Sequence, residues 1–346
     1  MGITHFQYFL LFVSAFAVVG FLTPVMRRIA IRQEIFDAPT AAHKTHKEPV
    51  PYLGGVAIII GVLLVSYGAT IAKRFTMHNF WLETSVLGPA LVLGIIGLID
   101  DLRNLRPAPR FVFQTVAGVF TAWLLIATNP VVTSIESKAI YSVIAVVWTV
   151  GICNSINFFD NLDGGAAGTV AVSSAMLFVI AFRGGQFLVA SLAAVTAGAT
   201  IGFLLWNKSP ARIYMGDAGA LFLGILIATL TIRLHPNSET KWTSFATPVL
   251  LVAVPILDTS VAVLSRLRRN ISPFQGGRDH LSHRLVRAGL QRPTAAITLW
   301  ALSGFFAFCA ILIPLTNRGT EQIITGFAAL AWGSLFIYFF RTADSE

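Results

Sequence analysis

The chain has 346 residues, 55% hydrophobic and 12% charged, and a mean hydropathy of +0.73. So little charge cannot cover a soluble globule, which excludes that class and indicates a polytopic membrane protein. The net charge of +9 accordingly reads as cytoplasmic loops facing the anionic headgroups of membrane lipids, not as a nucleic-acid footprint.

A helix needs about 20 apolar residues to cross a bilayer. Segments near 6–26, 53–72, 84–101, 110–128, 139–155, 165–182, 186–206, 218–234, 243–265, 294–315 and 321–340 meet or approach that length. They predict an all-α polytopic membrane protein of about eleven transmembrane helices, as a single membrane-embedded domain over 1–346. Met1 to His5 holds no Lys or Arg and the apolar run after it is long, so no cleaved signal peptide is expected. With the N-terminus outside and the C-terminus cytoplasmic, eighteen of the 25 Lys and Arg residues fall on the cytoplasmic side. The positive-inside rule favours that orientation. The cytoplasmic loops then lie near 27–52, 102–110, 156–164, 207–217 and 266–293. Asp100, Asp101, Asp160, Asp163, Asp217 and Asp279 all fall on that face, whereas Glu83, Glu136, Glu239 and Glu321 lie outside, scattered and without a motif. Cys153 and Cys309 sit in apolar runs and suggest neither a disulfide framework nor a Cys-based metal site.

In chain order, the first loop carries His43, Lys44, His46 and Lys47, then Pro49 and Pro51, and Gly54 and Gly55 at the start of the second span. The prolines stiffen an extended approach to the bilayer, and the glycines permit close approach of backbone or ligand. The basic residues read either as the positive-inside signal or as a hold on nucleotide phosphates. The third span ends in Asp100 and Asp101. Acids oppose the negative end of a helix dipole, so solvation alone is a weak explanation for them. Adjacent carboxylates point in different directions and need not share a role.

Residues 154–164 contain Asn154, Asn157, Asp160, Asn161, Asp163 and Gly164. Spacing by three puts Asn154, Asn157 and Asp160 on one face of a continued helix. Amide and carboxylate oxygens suit Mg²⁺. Asp163 reads equally as a cap for the next helix. Gly216 and Asp217 precede the eighth segment, where Asp217 reads as an N-cap or, with the other acids, as a metal ligand. In the last loop His280, His283 and Arg284 share a helical face. Without a base Glu or Cys, pyrophosphate binding is more plausible there than zinc, with a membrane-surface segment as the bland reading. Asp258, inside the ninth segment, needs a partner, for which an Arg of the nearby loop is expected, and reads as structural.

Together these motifs resemble the polyprenyl-phosphate N-acetylhexosamine-1-phosphate transferases. That family includes the starters of O-antigen, enterobacterial common antigen and teichoic acid synthesis and the enzyme that makes lipid I. The matching pieces are Pro51 with Gly54 and Gly55, the Asp100–Asp101 pair, the 154–163 stretch, residues 215–219, and His280, His283 and Arg284, in the family's order. The resemblance implies eleven spans in a bacterial cytoplasmic (inner) membrane and an active site facing the cytoplasm. It implies transfer of a sugar-1-phosphate, N-acetylglucosamine-1-phosphate first among the candidates, from a UDP-sugar to undecaprenyl phosphate with release of UMP. It also implies Mg²⁺, with Mn²⁺ as a substitute, held by Asn157 and Asp217. Asp100, Asp101, Asp160 and Asp163 are then the catalytic candidates. Lys44, His46, Asn154, Arg212, His280, His283 and Arg284 are the substrate-binding ones. Ser282 stands where the starter branch often has a third histidine, and the lipid I branch has consecutive histidines there. Whether the protein forms a homodimer is left open.

The expected reaction is attack by a lipid phosphate oxygen on the β-phosphorus of the donor. A phosphate dianion is already a nucleophile, so positioning and charge neutralisation carry most of the catalysis. The alternatives are the lipid I reaction and, from another class, a secondary transporter. A transporter would place its ionisable groups near the midplane, in symmetry-related broken helices.

Overall fold

The computed structural model describes residues 4–37, 49–74, 76–103, 107–128, 138–272 and 277–342. Its regular structure is helical apart from a short antiparallel pairing of β1 (Phe36–Asp37) with β2 (Val50–Pro51). The long helices are α1 (His5–Arg32), α2 (Gly54–Arg74), α3 (Met77–Arg103), α4 (Pro107–Thr128), α5 (Lys138–Phe159), α6 (Gly165–Arg183) and α7 (Phe187–Asn207). There follow α8 (Gly216–Ile232), α9 (Lys241–Leu251), α10 (Ala253–Arg268), α11 (Leu281–Arg287), α12 (Arg292–Leu312) and α13 (Arg318–Arg341).

Every predicted apolar segment is helical, but not every one is a single helix long enough to cross a membrane. Nine helices among the described residues are long and apolar enough to cross a membrane: α1 to α7, α12 and α13. The segment predicted at 243–265 is broken: α9 and α10 meet at Val252 and are bent by 75°, which makes ten if the pair is one span. Pro255 is a cause written in the sequence, because it cannot donate to the carbonyl four residues back. That carbonyl, of Leu251, instead accepts the Ser173 hydroxyl at 2.7 Å. The Trp332 indole donates to the Ala253 carbonyl at 3.0 Å. A kink inside a membrane needs such partners, since no water is there to supply them.

The eighth segment is also shorter than a span. At about 1.5 Å per residue, α8 falls short of the roughly 30 Å of a hydrocarbon core. It is buried from Ala218 to Thr231. A helix that is apolar on all sides belongs in the centre of a bundle, and α8 packs there against α2, α3 and α5. Helix ends run into the predicted loops in several places: Arg27, Arg28 and Arg32 lie on α1, and Asn157 on α5. Thr4, Thr240 and Asn317 cap α1, α9 and α13 with their side-chain oxygens.

Candidate functional site

The C-terminus of α3 meets the N-terminus of the central α8. There the two adjacent aspartates part company. Asp101 turns to α8 and accepts the Asp217 amide at 2.8 Å and the Ala218 amide at 3.0 Å. It caps that helix from another element, so Asp217 is not the cap but a first-turn residue. Gly216 makes the contact possible: its φ is +67°, and a Cβ there would lie 2.5 Å from an Asp101 oxygen. The positive end of α8 thereby offsets the unfavourable position of acids at the end of α3.

Asp100 faces the other way. Arg110, in the first turn of α4, donates from a single nitrogen, Nη1, to Asp100 Oδ2 at 2.8 Å and to Asp217 Oδ2 at 2.6 Å. Asn157 Nδ2 reaches the second oxygen of Asp217 at 2.7 Å. Asp100 is 6% exposed, against 27% for Asp217 and 24% for Arg110, so the cluster opens on one side. Asn157, Asp217 and Asp100, three residues picked out by sequence, thus meet at one end of the bundle. Arg110 falls in the predicted 102–110 loop, outside any of the motifs.

The rest of the 154–164 stretch divides its labour. Asn154 donates to the buried Gln114 at 2.7 Å and to the Val150 carbonyl at 2.8 Å. Since α5 ends at Phe159, Asp160 leaves the face that Asn154 and Asn157 define. Asp160 is half-buried and, among the described residues, its carboxylate has no hydrogen-bond donor. Burial, with the charges of Asp217 and Asp163, pushes its pKa up to about 7. Asp163 does not cap α6, which follows the left-handed Gly164 with no side-chain cap. Instead it accepts the Ala211 amide at 3.1 Å and the Tyr214 hydroxyl at 3.4 Å. It thereby fixes the segment leading to Asp217. The same segment accepts the amides of Gly54 and Gly55 at its Tyr214 and Met215 carbonyls, 3.0 and 2.9 Å. Those glycines serve backbone approach.

The last loop is docked by its own polar groups. Asp258 finds its partner not in an arginine but in His280, whose Nδ1 donates to it at 2.7 Å, and it also accepts the Leu281 amide at 2.6 Å. The tautomer this requires leaves Nε2 to accept from Arg266 at 3.2 Å. Arg284 points inward, to the Asp279 and Phe339 carbonyls at 2.7 and 2.6 Å and to Ser265 at 2.9 Å. Its side chain is buried. His283 is half-buried, and burial lowers its pKa to about 4, so the ring is neutral at physiological pH. Ser282 donates to Asn161, and the Phe158 and His280 rings pack edge to face at 6.3 Å. These two contacts bring the last loop against the 154–164 stretch. Arg212 is exposed, its guanidinium 5.9 Å from the Trp206 ring centre. Lys44 and His46 lie outside the described residues, as does Glu136.

Acids that looked scattered are also partnered. Glu83 is buried against the Thr70 hydroxyl at 2.7 Å. Glu321, fully buried, accepts the Glu239 amide at 3.4 Å.

Residues 83–235 match the family model for glycosyl transferase family 4. The chain is 30% identical over 337 residues to a probable undecaprenyl-phosphate N-acetylglucosaminyl 1-phosphate transferase of Bacillus subtilis, covering 95% of this chain and 87% of that protein. It is 31% identical over 344 residues to the decaprenyl-phosphate N-acetylglucosaminephosphotransferase of Mycolicibacterium smegmatis, covering 91% and 84%. It is 32% identical over 340 residues to the phospho-N-acetylmuramoyl-pentapeptide-transferase of Mycolicibacterium gilvum, covering 84% and 91%.

Proposed function

The chain belongs to glycosyl transferase family 4, the polyprenyl-phosphate N-acetylhexosamine-1-phosphate transferases, and from that premise we propose that it makes the first lipid-linked sugar of an envelope polysaccharide. It is a multi-pass membrane transferase that moves a sugar-1-phosphate onto a polyprenyl phosphate. In our reading the donor is UDP-N-acetylglucosamine, the acceptor undecaprenyl phosphate and the released nucleotide UMP. The spans number about eleven, with α8 and the bent pair each counted as one, in a single domain whose active site faces the cytoplasm.

The observation that carries this reading is the meeting of Asp100, Asn157 and Asp217 at one open point. One oxygen of Asp100 and one of Asp217 already converge on a single cationic atom, at 2.8 and 2.6 Å. That donor set of carboxylate and amide oxygens fits a hard divalent cation such as Mg²⁺, or Mn²⁺ in its place. Asp100, Asp217 and Asn157 would hold it, and when bound it would neutralise charge on the transferred diphosphate. Asp101, whose two oxygens are spent on α8, holds the metal residues in place and does not touch reactants. Asp160, with no hydrogen-bond donor among the described residues, is a carboxylate that could orient a bound substrate.

In the reaction a lipid phosphate oxygen bonds to the β-phosphorus and the bond from that phosphorus to the bridging oxygen breaks. UMP leaves with the electron pair. A groove of about 580 Å³ between α5 and α10 supports a place for the prenyl tail. It is almost entirely apolar, lined by Val147, Gly151, Ile256 and Val263 among others, and it reaches Ser155, two residues before Asn157. Incubation of the purified protein with radiolabelled UDP-N-acetylglucosamine, undecaprenyl phosphate and Mg²⁺ tests the proposal. Label should enter the organic phase, and Asp217→Asn should abolish this while leaving a folded protein. Near-normal turnover in that variant would sink the metal assignment.

The similarity to the Mycolicibacterium gilvum enzyme favours one second reading, transfer of phospho-N-acetylmuramoyl-pentapeptide. Competition by a panel of UDP-sugars separates the two. No transfer from any of them would favour a transporter.

A further inference from the structure

Arg110 is the charged residue of the cluster that the proposed reaction does not use. Its position is electrostatically costly. It lies in the first turn of α4, where the helix dipole disfavours a cation, so the carboxylates must hold it there. One nitrogen, Nη1, touches both Asp100 Oδ2 and Asp217 Oδ2, at 2.8 and 2.6 Å. Those are the oxygens a divalent ion would need, and two cations cannot share that point.

We propose that Arg110 is the resident counter-cation of the Asp100–Asp217 pair, and that a divalent ion enters the site by displacing it. The inference rests on the metal reading of the proposed function. The guanidinium keeps two converging carboxylates from repelling one another while the site is empty of metal, and the same bond lowers the apparent affinity for metal. An arginine-closed state favoured about ten to one weakens that affinity about tenfold.

The test is Mn²⁺ binding by electron paramagnetic resonance to the detergent-purified full chain, without substrates. Wild type is compared with Arg110→Gln, Arg110→Met and Asp217→Asn, and the melting temperature of each is read with and without Mn²⁺. Arg110→Gln and Arg110→Met should each bind Mn²⁺ about tenfold more tightly than wild type. Both should melt lower than wild type without metal and gain more from Mn²⁺. Binding that Asp217→Asn weakens but neither Arg110 variant tightens would overturn the counter-cation role alone. A melting gain from Mn²⁺ no larger than wild type's would do the same, including where a variant is too unstable to titrate. Wild-type binding that Asp217→Asn leaves unchanged would overturn the metal reading, and this inference with it.

Discussion

Replacing Asp101 tests whether the two adjacent aspartates do different work. Asp101 gives both its oxygens to backbone amides of α8, at 2.8 and 3.0 Å, and Asp100 gives one to Arg110. Asp101→Asn and Asp101→Ala both remove the charge and relieve the same repulsion from Asp100 and Asp217. Their difference therefore isolates the cap. The asparagine oxygen still accepts one amide, and the alanine accepts none. One retained bond of this kind is worth about 1–2 kcal/mol. At about 2–4 °C per kcal/mol, the range for domains of 150–250 residues, Asp101→Ala should melt about 2–8 °C below Asp101→Asn. Scanning fluorimetry in detergent reads this from the intrinsic tryptophans. The transfer assay supplies the second axis: Asp101→Asn should keep measurable turnover, whereas Asp100→Asn should lose it at nearly unchanged melting temperature. Equal stability of the two Asp101 variants, or loss of turnover in Asp101→Asn as complete as in Asp100→Asn, would refute the assignment.

Three further outcomes follow from the same geometry. Asp258→Ala strands His280 and the Leu281 amide in a buried site, at a cost of about 3–5 kcal/mol. It should lower the melting temperature and raise KM for the UDP-sugar, and an unchanged KM would separate the loop from the donor. Burial pushes the Asp279 carboxyl up, but Arg266 and Arg269 outweigh it and hold it below the usual carboxylate range. Such a group stabilises the fold above its unfolded pKa of about 3.9, and that stability is lost as pH falls through the lower folded value. The melting gap between wild type and Asp279→Asn should hold steady from about pH 7 to 5 and close below about pH 4; a gap that widens on acidification would contradict this. Gly151 lines the α5–α10 groove and has open space at its Cβ position. Gly151→Leu should raise KM for the polyprenyl phosphate several-fold and leave that for the donor alone. Equal effects on both substrates would count against the groove.

The eleven apolar segments were legible because hydrophobic runs of helical length have few other fates. The break at Val252 was also written, in Pro255, but run length does not register it. Why α8 stays short and central is less local: it depends on α2, α3 and α5 enclosing it. The site was half legible. Asn157 and Asp217 stood out as polar residues at apolar boundaries, and they do meet. Asp100 and Asp101 could not be told apart, because the difference is set by what α8 and α4 bring to each. Arg110 carried a signal that positive-inside counting absorbed: a cation in a helix's first turn opposes the dipole and calls for an acidic partner. Arg284 looked like part of a binding face on spacing alone, yet its guanidinium serves the fold, since Ser265 and the Phe339 carbonyl come from elements far along the chain.

The central claim is that phosphate travels with the sugar. A donor labelled with phosphorus at the β position and with carbon in the sugar tests it directly. Incubated with the purified protein, undecaprenyl phosphate and Mg²⁺, both labels should enter the lipid in equal amounts, with unlabelled UMP left in the aqueous phase. Carbon entering the lipid without phosphorus, and labelled UDP left behind, would contradict the account.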